Sequence, residues 1–366
     1  MRPLYATYVS LVRAALWNEQ VNWPAEMSDD FLLLNAQQGT GTLVYPSVLA
    51  QTTLSVYART QMKGVYMQNI QQQIPLQRTL KIAWQALEKA GIRATLMKGA
   101  GLAAYYPEPS MRFWGDIDLF VGSDQYHPAC AVMRETFPKA LKFDEELDHY
   151  KHYNLIADGV SIEIHRVTVG LQHPVDERRY AKMEAFGMTH SQEMAIDGLT
   201  VRVPEPTFNA LLVFLHSWEH MLTAGGNMRQ LCDLTLLLKN TYKAIDFALL
   251  RRWLKSLKLL KVWQLYMCIL VQSLGLPADR TLGFSPSCAE RADQLLEDLL
   301  SGQMNAPKSA SQTPKGRIAR KLHTMNERFA NARRVKKYSP SYARHMNVTT
   351  LLNGARRFFA KDRHWE

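Results

Sequence analysis

Residues 96–121, LMKGAGLAAYYPEPSMRFWGDIDLFV, carry the reading from which the fold follows. Leu96-Met97 closes an apolar run, and Lys98-Gly99-Ala100-Gly101 is a glycine turn whose backbone N–H groups can meet a phosphate. A short helix and a loop then lead through Gly115 into Asp116-Ile117-Asp118-Leu119-Phe120-Val121. Alternate side chains of a strand share a face. Asp116 and Asp118 therefore point one way, while Ile117, Leu119 and Val121 point into a core. Two carboxylates on one strand face make a hard, oxygen-rich site suited to Mg²⁺ or Mn²⁺.

A third carboxylate has the same setting. Val160-Ser161-Ile162-Glu163-Ile164-His165 alternates, with Ile162 and Ile164 on one face and Glu163 and His165 on the other. A strand carrying Glu163 beside the Asp116/Asp118 strand completes a three-carboxylate cluster. Such a cluster holds one or two metal ions and orients an attacking hydroxyl. His165 either orients Glu163 or the acceptor, or is a satisfied structural histidine.

With these residues in place, the chain resembles the nucleotidyltransferase superfamily, and more closely its bacterial branch of uncharacterised nucleotidyltransferases. The resemblance rests on Lys98-Gly99, Tyr106-Pro107, Arg112, Gly115-Asp116-Ile117-Asp118, Ile162-Glu163-Ile164-His165, and a later helical stretch with His216 and Arg229-x-x-x-Asp233. It covers roughly residues 60–240. It implies a nucleoside triphosphate donor and a divalent metal, Mg²⁺ or Mn²⁺, on Asp116, Asp118 and Glu163. Nucleotide contacts are implied at Lys98, Gly99, Gly101, Arg112, His165, Arg229 and Asp233. The wider superfamily has Gly-Gly or Gly-Ser at the turn, so here Lys98 is the residue left to substitute for the serine in gripping the donor phosphates. Two of these assignments have plainer alternatives. Arg112 can simply pair with an acid, and Arg229 and Asp233, at i and i+4, can pair with each other along their helix.

The 366 residues are enough for two domains with a sizeable core. Cys130, Cys232, Cys268 and Cys288 are scattered with no CxxC pair, which argues against a zinc ribbon or a disulfide framework and suits a reducing cytoplasm. Arg13 interrupts the apolar N-terminal run, so no signal peptide is expected. Val262 to Leu276 is too short to span a bilayer and reads as a buried helix. Of the net +11, residues 308–366 carry +12, from 15 Lys and Arg against 3 Asp and Glu, leaving −1 for the rest. Any polyanion affinity therefore belongs to the tail, whose densest cluster is Arg333, Arg334, Lys336 and Lys337, with Tyr338 available for stacking. The rivals are an anionic membrane under Val348 to Phe359, and a tail that packs as helices on the protein itself.

The expected fold class is α+β: a small mixed β-sheet nucleotidyltransferase core flanked by helices, then an all-helical domain and a basic tail. Residues 1–90 read as a helical lead-in packing on the core, with one helix over Pro46–Ile74, interrupted by Pro75, and another over Leu76–Ala90. Residues 91–203 read as the catalytic core, 204–300 as the helical domain, 301–316 as a linker and 317–366 as the basic segment. Within the core, His149–Ala157 and Gly159–Thr168 form a hairpin around Asp158-Gly159. The expected function is metal-dependent nucleotidyl transfer to a hydroxyl acceptor, which is a small molecule, a peptide or protein, or an RNA, with release of pyrophosphate. A non-catalytic nucleotide- or RNA-binding protein is the alternative. His216-Ser217-Trp218-Glu219-His220 also matches H-x-x-E-H, a zinc-hydrolase pattern, although no third ligand motif follows it.

Overall fold

Five strands carry the sheet: β1 (Thr95–Met97), β2 (Asp116–Phe120), β3 (Leu141–Lys142), β4 (His152–Ala157) and β5 (Val160–His165). They run in the order β1-β2-β5-β4-β3, and only the β2–β5 pair is parallel. The computed structural model describes residues 1–19, 29–49, 55–143, 147, 149–171, 173–223, 225–304 and 317–359. The part of the linker beyond Met304 lies outside them.

Strand alternation decides which face is dry. Ile117, Leu119, Ile162, Ile164, Tyr153 and Leu155 are buried on one face. Helices α4 (Val56–Lys89) and α6 (Gly122–Thr136) cover it with Leu80, Ala83, Trp84, Leu87, Tyr126, Ala129 and Met133. The β4–β5 turn is Asp158-Gly159, both at positive φ (51° and 80°), the conformation a two-residue hairpin requires. Pro75 does not interrupt its helix: α4 runs through it to Lys89. Its missing N–H removes one helical bond. The buried stripe Leu76, Leu80, Ala83, Trp84 and Leu87 holds the helix together on the far side.

The second core is helical. It is built from α8 (Pro206–Thr223), α9 (Met228–Thr241), α10 (Phe247–Ser256), α11 (Leu260–Gln272) and α12 (Ala289–Leu300). Val262 to Leu270 is buried nearly throughout within α11. The N-terminal helices α1 (Pro3–Trp17), α2 (Asp29–Gln37) and α3 (Gly41–Leu49) contribute to this same cluster, and Trp17 Nε1 donates to the Leu274 carbonyl at 2.6 Å. Between the cores lie the short α5 (Gly99–Ala103), α7 (Pro174–Thr189) and a hairpin of β6 (Gln192–Ile196) and β7 (Leu199–Val203). On α7, Gly187 admits no side chain: a Cβ there would lie 2.1 Å from Phe208 Cγ, and Phe208 is fully buried. Gly187→Ala is expected to cost about 1–3 kcal/mol by overpacking, read as a lower urea midpoint. An unchanged midpoint would mean the two helices are not packed this closely.

The basic segment folds as α13 (Arg317–Lys336) and α14 (Pro340–Phe359), with Val335, Tyr338 and Ala343 joining the helical core. Tyr338 is therefore not available for stacking on a base: it is buried, and its hydroxyl donates to Asp298. Arg334 donates to the carbonyls of Met304 (2.8 Å) and Leu222 (3.1 Å), and Lys337 also pairs with Asp298. Arg333 and Lys336 stay exposed. Among the described residues, no helix is long and apolar enough to cross a membrane.

Burial alone would raise the Asp298 carboxyl, but hydrogen bonds from Lys337, Tyr338 and Gln294 outweigh it and hold it below the usual range. A carboxyl depressed in the folded state contributes stability above its unfolded value of about 3.9 and loses it as pH falls through the folded value. Asp298→Asn is therefore expected to lower unfolding free energy at neutral pH by about 1–3 kcal/mol. The difference from the parent should shrink as pH falls from about 5 to about 3. A difference that stays constant over that range would show that the charge of Asp298 does not hold the tail.

Candidate active site

The polar face of the sheet gathers the sequence-predicted residues. Asp118 on β2 and Glu163 on β5 are direct partners in the parallel register, and Asp116 lies opposite Ser161. Lys98, between β1 and α5, sits at φ 50° and ψ −134°, an uncommon conformation for a residue with a Cβ. Its Nζ lies 3.0 Å from Asp118 Oδ1. Gly99 follows at φ 35°, and a Cβ there would meet the Asp116 carbonyl at 3.4 Å, so the turn lies close against β2. Gly101 is buried inside α5 with β7 beside it: its Cβ would be 3.5 Å from Val203 Cγ1.

His165 bridges the two carboxylates. Its Nε2 is 2.9 Å from Asp118 Oδ1 and 3.1 Å from Glu163 Oε2, and its Nδ1 is 3.3 Å from the Val167 carbonyl. Both ring nitrogens face acceptors, which favours the doubly protonated ring. Burial alone would push this ring down in pKa, but the bonds to Asp118 and Glu163 outweigh it and raise it. Asp118 is the converse case: burial would raise it, but Lys98 and His165 hold it far below the carboxylate range. Asp116 has no such compensation. The Asp118 charge, then burial, push it up to about 6, and Lys98 offsets this only in part.

Two neutral histidines border the cluster. The His152 ring is 4.9 Å from that of His165, with Nδ1 3.8 Å from Glu163 Oε2, and burial pushes it down to about 4. On α8, His216 is pushed well below its ordinary value by burial and then by the Lys98 charge, which also reaches His220. His216 and His220 lie ring against ring, 4.4 Å apart. Glu219 turns instead to Lys151, at 3.9 Å. Among the described residues, the ligating groups of three or more that come within 4.8 Å of one another are His152/Glu163/His165 and His173/Asp176/His345. Neither His216 nor His220 belongs to either group, so the zinc-hydrolase pattern is not assembled as a site. Asp116, Asp118 and Glu163 do not come within that distance of one another as a set of three either, and of these Glu163 alone lies in a group.

Arg112 and Asp233 meet each other. Arg112 Nε donates to Asp233 Oδ1 at 2.7 Å and Nη2 to Oδ2 at 2.8 Å, and Tyr106 Oη adds a bond to Oδ1 at 2.8 Å. Arg112 Nη1 donates to the Gly99 carbonyl at 3.1 Å, which ties α9 to the glycine turn. The simple intrahelical pairing of Arg229 with Asp233 gives way to this arrangement, and Arg229 Nη1 donates to the Phe113 carbonyl at 2.7 Å. The plainer reading of Arg112, pairing with an acid, is the one seen. Which acid it meets, and the third hydroxyl on it, the sequence does not mark, because 121 residues separate Arg112 from Asp233.

A mixed sheet with a glycine turn, an Asp-x-Asp strand and a single acid on the adjoining parallel strand, followed by helices, defines a nucleotidyltransferase-like α+β protein. The family model described as "Uncharacterised nucleotidyltransferase" matches residues 24–275, more than half of the chain, and the chain belongs to that family. No curated protein matches it. Among solved structures it is similar to an antigenic nucleotidyltransferase-like protein from Paracoccidioides brasiliensis. The identity there is 14%, the match covers 53% of this chain and 90% of that one, and the TM-score is 0.32. A likeness that low carries no argument of its own.

Proposed function

We propose that the chain transfers a nucleoside monophosphate from a nucleoside triphosphate to a hydroxyl acceptor, releasing pyrophosphate. The observation that carries this reading is the register of Asp118 against Glu163 on parallel strands, with Asp116 two residues earlier and the Lys98-Gly99 turn against them. The residues fit a divalent ion of the Mg²⁺ or Mn²⁺ class. The donors are hard carboxylate oxygens, and the repulsion that lifts Asp116 to about 6 is the kind of charge excess a cation relieves. Asp116, Asp118 and Glu163 would hold it, and when bound it supplies neutralising charge for the donor phosphates. Lys98, whose Nζ lies 3.0 Å from Asp118 Oδ1, would hold a donor phosphate beside the carboxylates. His165 fixes the directions of Asp118 and Glu163. Arg112 and Asp233 act through the Gly99 carbonyl as positioning residues, not as nucleotide contacts.

One observation favours a second reading, nucleotide binding without transfer: Asp118 already has partners in Lys98 and His165. Incubation of the purified chain with each labelled triphosphate, Mg²⁺ or Mn²⁺ and cell extract separates the two. Label entering RNA, protein or a small molecule with stoichiometric pyrophosphate release, lost in Glu163→Gln, supports transfer and names the acceptor class. Saturable nucleotide binding with neither label transfer nor pyrophosphate would replace it with the binding reading.

A further inference from the structure

A second cluster of ligating side chains lies where α14 crosses the start of α7, apart from the carboxylate face of the sheet. His173 is the residue before α7, Asp176 lies in its first turn, and His345 comes from α14. His345 Nε2 is 2.6 Å from Asp176 Oδ2, and His173 Nδ1 is 3.8 Å from that same oxygen. The three ligand atoms all lie within 4.8 Å of one another. We propose that His173 Nδ1, Asp176 Oδ2 and His345 Nε2 form a divalent-metal site of the zinc class that fastens the C-terminal helix α14 to α7.

Four features of the cluster carry this. First, the spacing fits. Ligands about 2.0–2.1 Å from a tetrahedral zinc stand roughly 3.3 Å apart, and the separations of 2.6 and 3.8 Å bracket that value. Second, His173 Nδ1 is buried and makes no hydrogen bond among the described residues. A buried nitrogen left without a partner is costly, and one proton shared between His345 and Asp176 does not reach it, whereas a cation among the three atoms satisfies all of them. Third, Asp176 is held in place for ligation. It is 5% exposed, and its other oxygen, Oδ1, is 3.4 Å from Arg179 Nη1, which also donates to the Ser256 carbonyl at 3.0 Å. A partner on the outer oxygen orients a ligating carboxylate and leaves Oδ2 for the metal. Fourth, the donor set discriminates. Two imidazoles and one carboxylate select zinc and its transition-metal neighbours over Mg²⁺ and Ca²⁺, the opposite preference to the oxygen-rich face of β2.

The three residues border one cavity of about 130 Å³, together with Trp218, Glu219 and Tyr342, which leaves room for water to complete a four-coordinate shell. Among the protein ligands, two come from positions 173 and 176 and the third from 345, so the metal closes a long loop of chain. Binding to the folded form alone then stabilises the docked tail by mass action.

The test uses the full chain stripped with chelator and titrated with Zn²⁺, and with Co²⁺ as the spectroscopic probe. One equivalent of Zn²⁺ is expected to bind and raise the thermal midpoint, and Co²⁺ is expected to give the visible bands of a low-coordinate site. His173→Ala and His345→Ala should each weaken binding at least about 100-fold, the upper end of what loss of a mere orienting partner costs. Each should also abolish the zinc-dependent midpoint shift. Glu163→Gln, which breaks up the His152/Glu163/His165 group, should leave both signals intact. If either alanine variant proves unfolded by circular dichroism, His345→Gln, at a residue whose side chain is 20% exposed, carries the comparison. Absence of zinc binding, binding unchanged in the folded histidine variants, or binding lost in Glu163→Gln would each overturn the proposal.

Discussion

Asp118→Asn is expected to lower nucleotidyl transfer by about 10³-fold or more, corresponding to about 4 kcal/mol of lost transition-state stabilisation. Asp116→Asn is expected to do the same to transfer, yet the two variants should move stability in opposite directions. Asp118 is the counter-charge of Lys98 and His165, at 3.0 and 2.9 Å, and it is 1% exposed. Removing its charge takes the nearest counter-charge from both buried cations and leaves His165 with Glu163 alone, a loss of about 3–5 kcal/mol for a pair of this kind. Asp116 is the group under repulsion, lifted to about 6 chiefly by the Asp118 charge. A carboxyl whose pKa is raised on folding contributes stability below its unfolded value of about 3.9 and loses it as pH rises through the folded value. At pH 7, therefore, its charge strains the metal-free protein, and Asp116→Asn removes the strain. Urea unfolding of both metal-free variants checks the signs, and label transfer checks the chemistry. If Asp116→Asn were as destabilising as Asp118→Asn, the charge assignment within the cluster would be wrong. If either variant transferred nucleotide at the parental rate, the site would lie elsewhere.

The parts of this site that depend on strand parity are legible in the sequence, and those that depend on distant partners are not. Asp116-Ile117-Asp118-Leu119 and Ile162-Glu163-Ile164-His165 each place acids on one face and aliphatics on the other, because a two-residue period fixes the face. The Asp158-Gly159 turn was legible for the same local reason. The β6–β7 hairpin is harder to see, although its Asp197-Gly198 turn carries the same positive-φ pair, at 48° and 75°. Its second strand alternates as well, with Leu199, Val201 and Val203 against Thr200 and Arg202, whereas β6 buries none of its residues and gives the turn no dry face on that side. Helix α7 is obscured by its own interior, which buries Asp176 and Glu184 where a periodic reading expects apolar residues. Glu184 is satisfied by the backbone N–H (2.7 Å) and hydroxyl (2.6 Å) of Thr168, partners that spacing cannot reveal. The tail's charge was countable, but whether Tyr338 stacks on a base or docks beside Asp298 depends on a buried acid 40 residues away. That Lys98 lies in the turn is local and legible, but its contact with Asp118 follows from a backbone conformation that the sequence does not mark.

The Arg112–Asp233 pair should be the largest single contributor to the joint between the glycine turn and the helical core. Both side chains are at most 6% exposed, two charge-assisted bonds join them, and Tyr106 donates a third bond to the same carboxylate. Burial would lower the affinity of this guanidinium for its proton, but Asp233 outweighs burial and raises it, so Arg112 keeps its charge. Breaking a buried pair from one side strands a charge, and Asp233→Ala or Arg112→Ala is expected to cost about 3–5 kcal/mol each. Replacing both at once with apolar residues, Arg112→Met with Asp233→Leu, should restore much of that loss, because no charge is then stranded. Transfer should not recover with it, since Arg112 Nη1 no longer holds the Gly99 carbonyl and the turn that carries Lys98 is released. Urea unfolding of the two alanine variants, Arg112→Met, Asp233→Leu and the double variant measures the coupling, and kinetics of the double variant separate stability from positioning. Additive losses from Arg112→Met and Asp233→Leu would show that the pair is not a unit. A double variant with parental transfer would show that the Gly99 carbonyl needs no anchor.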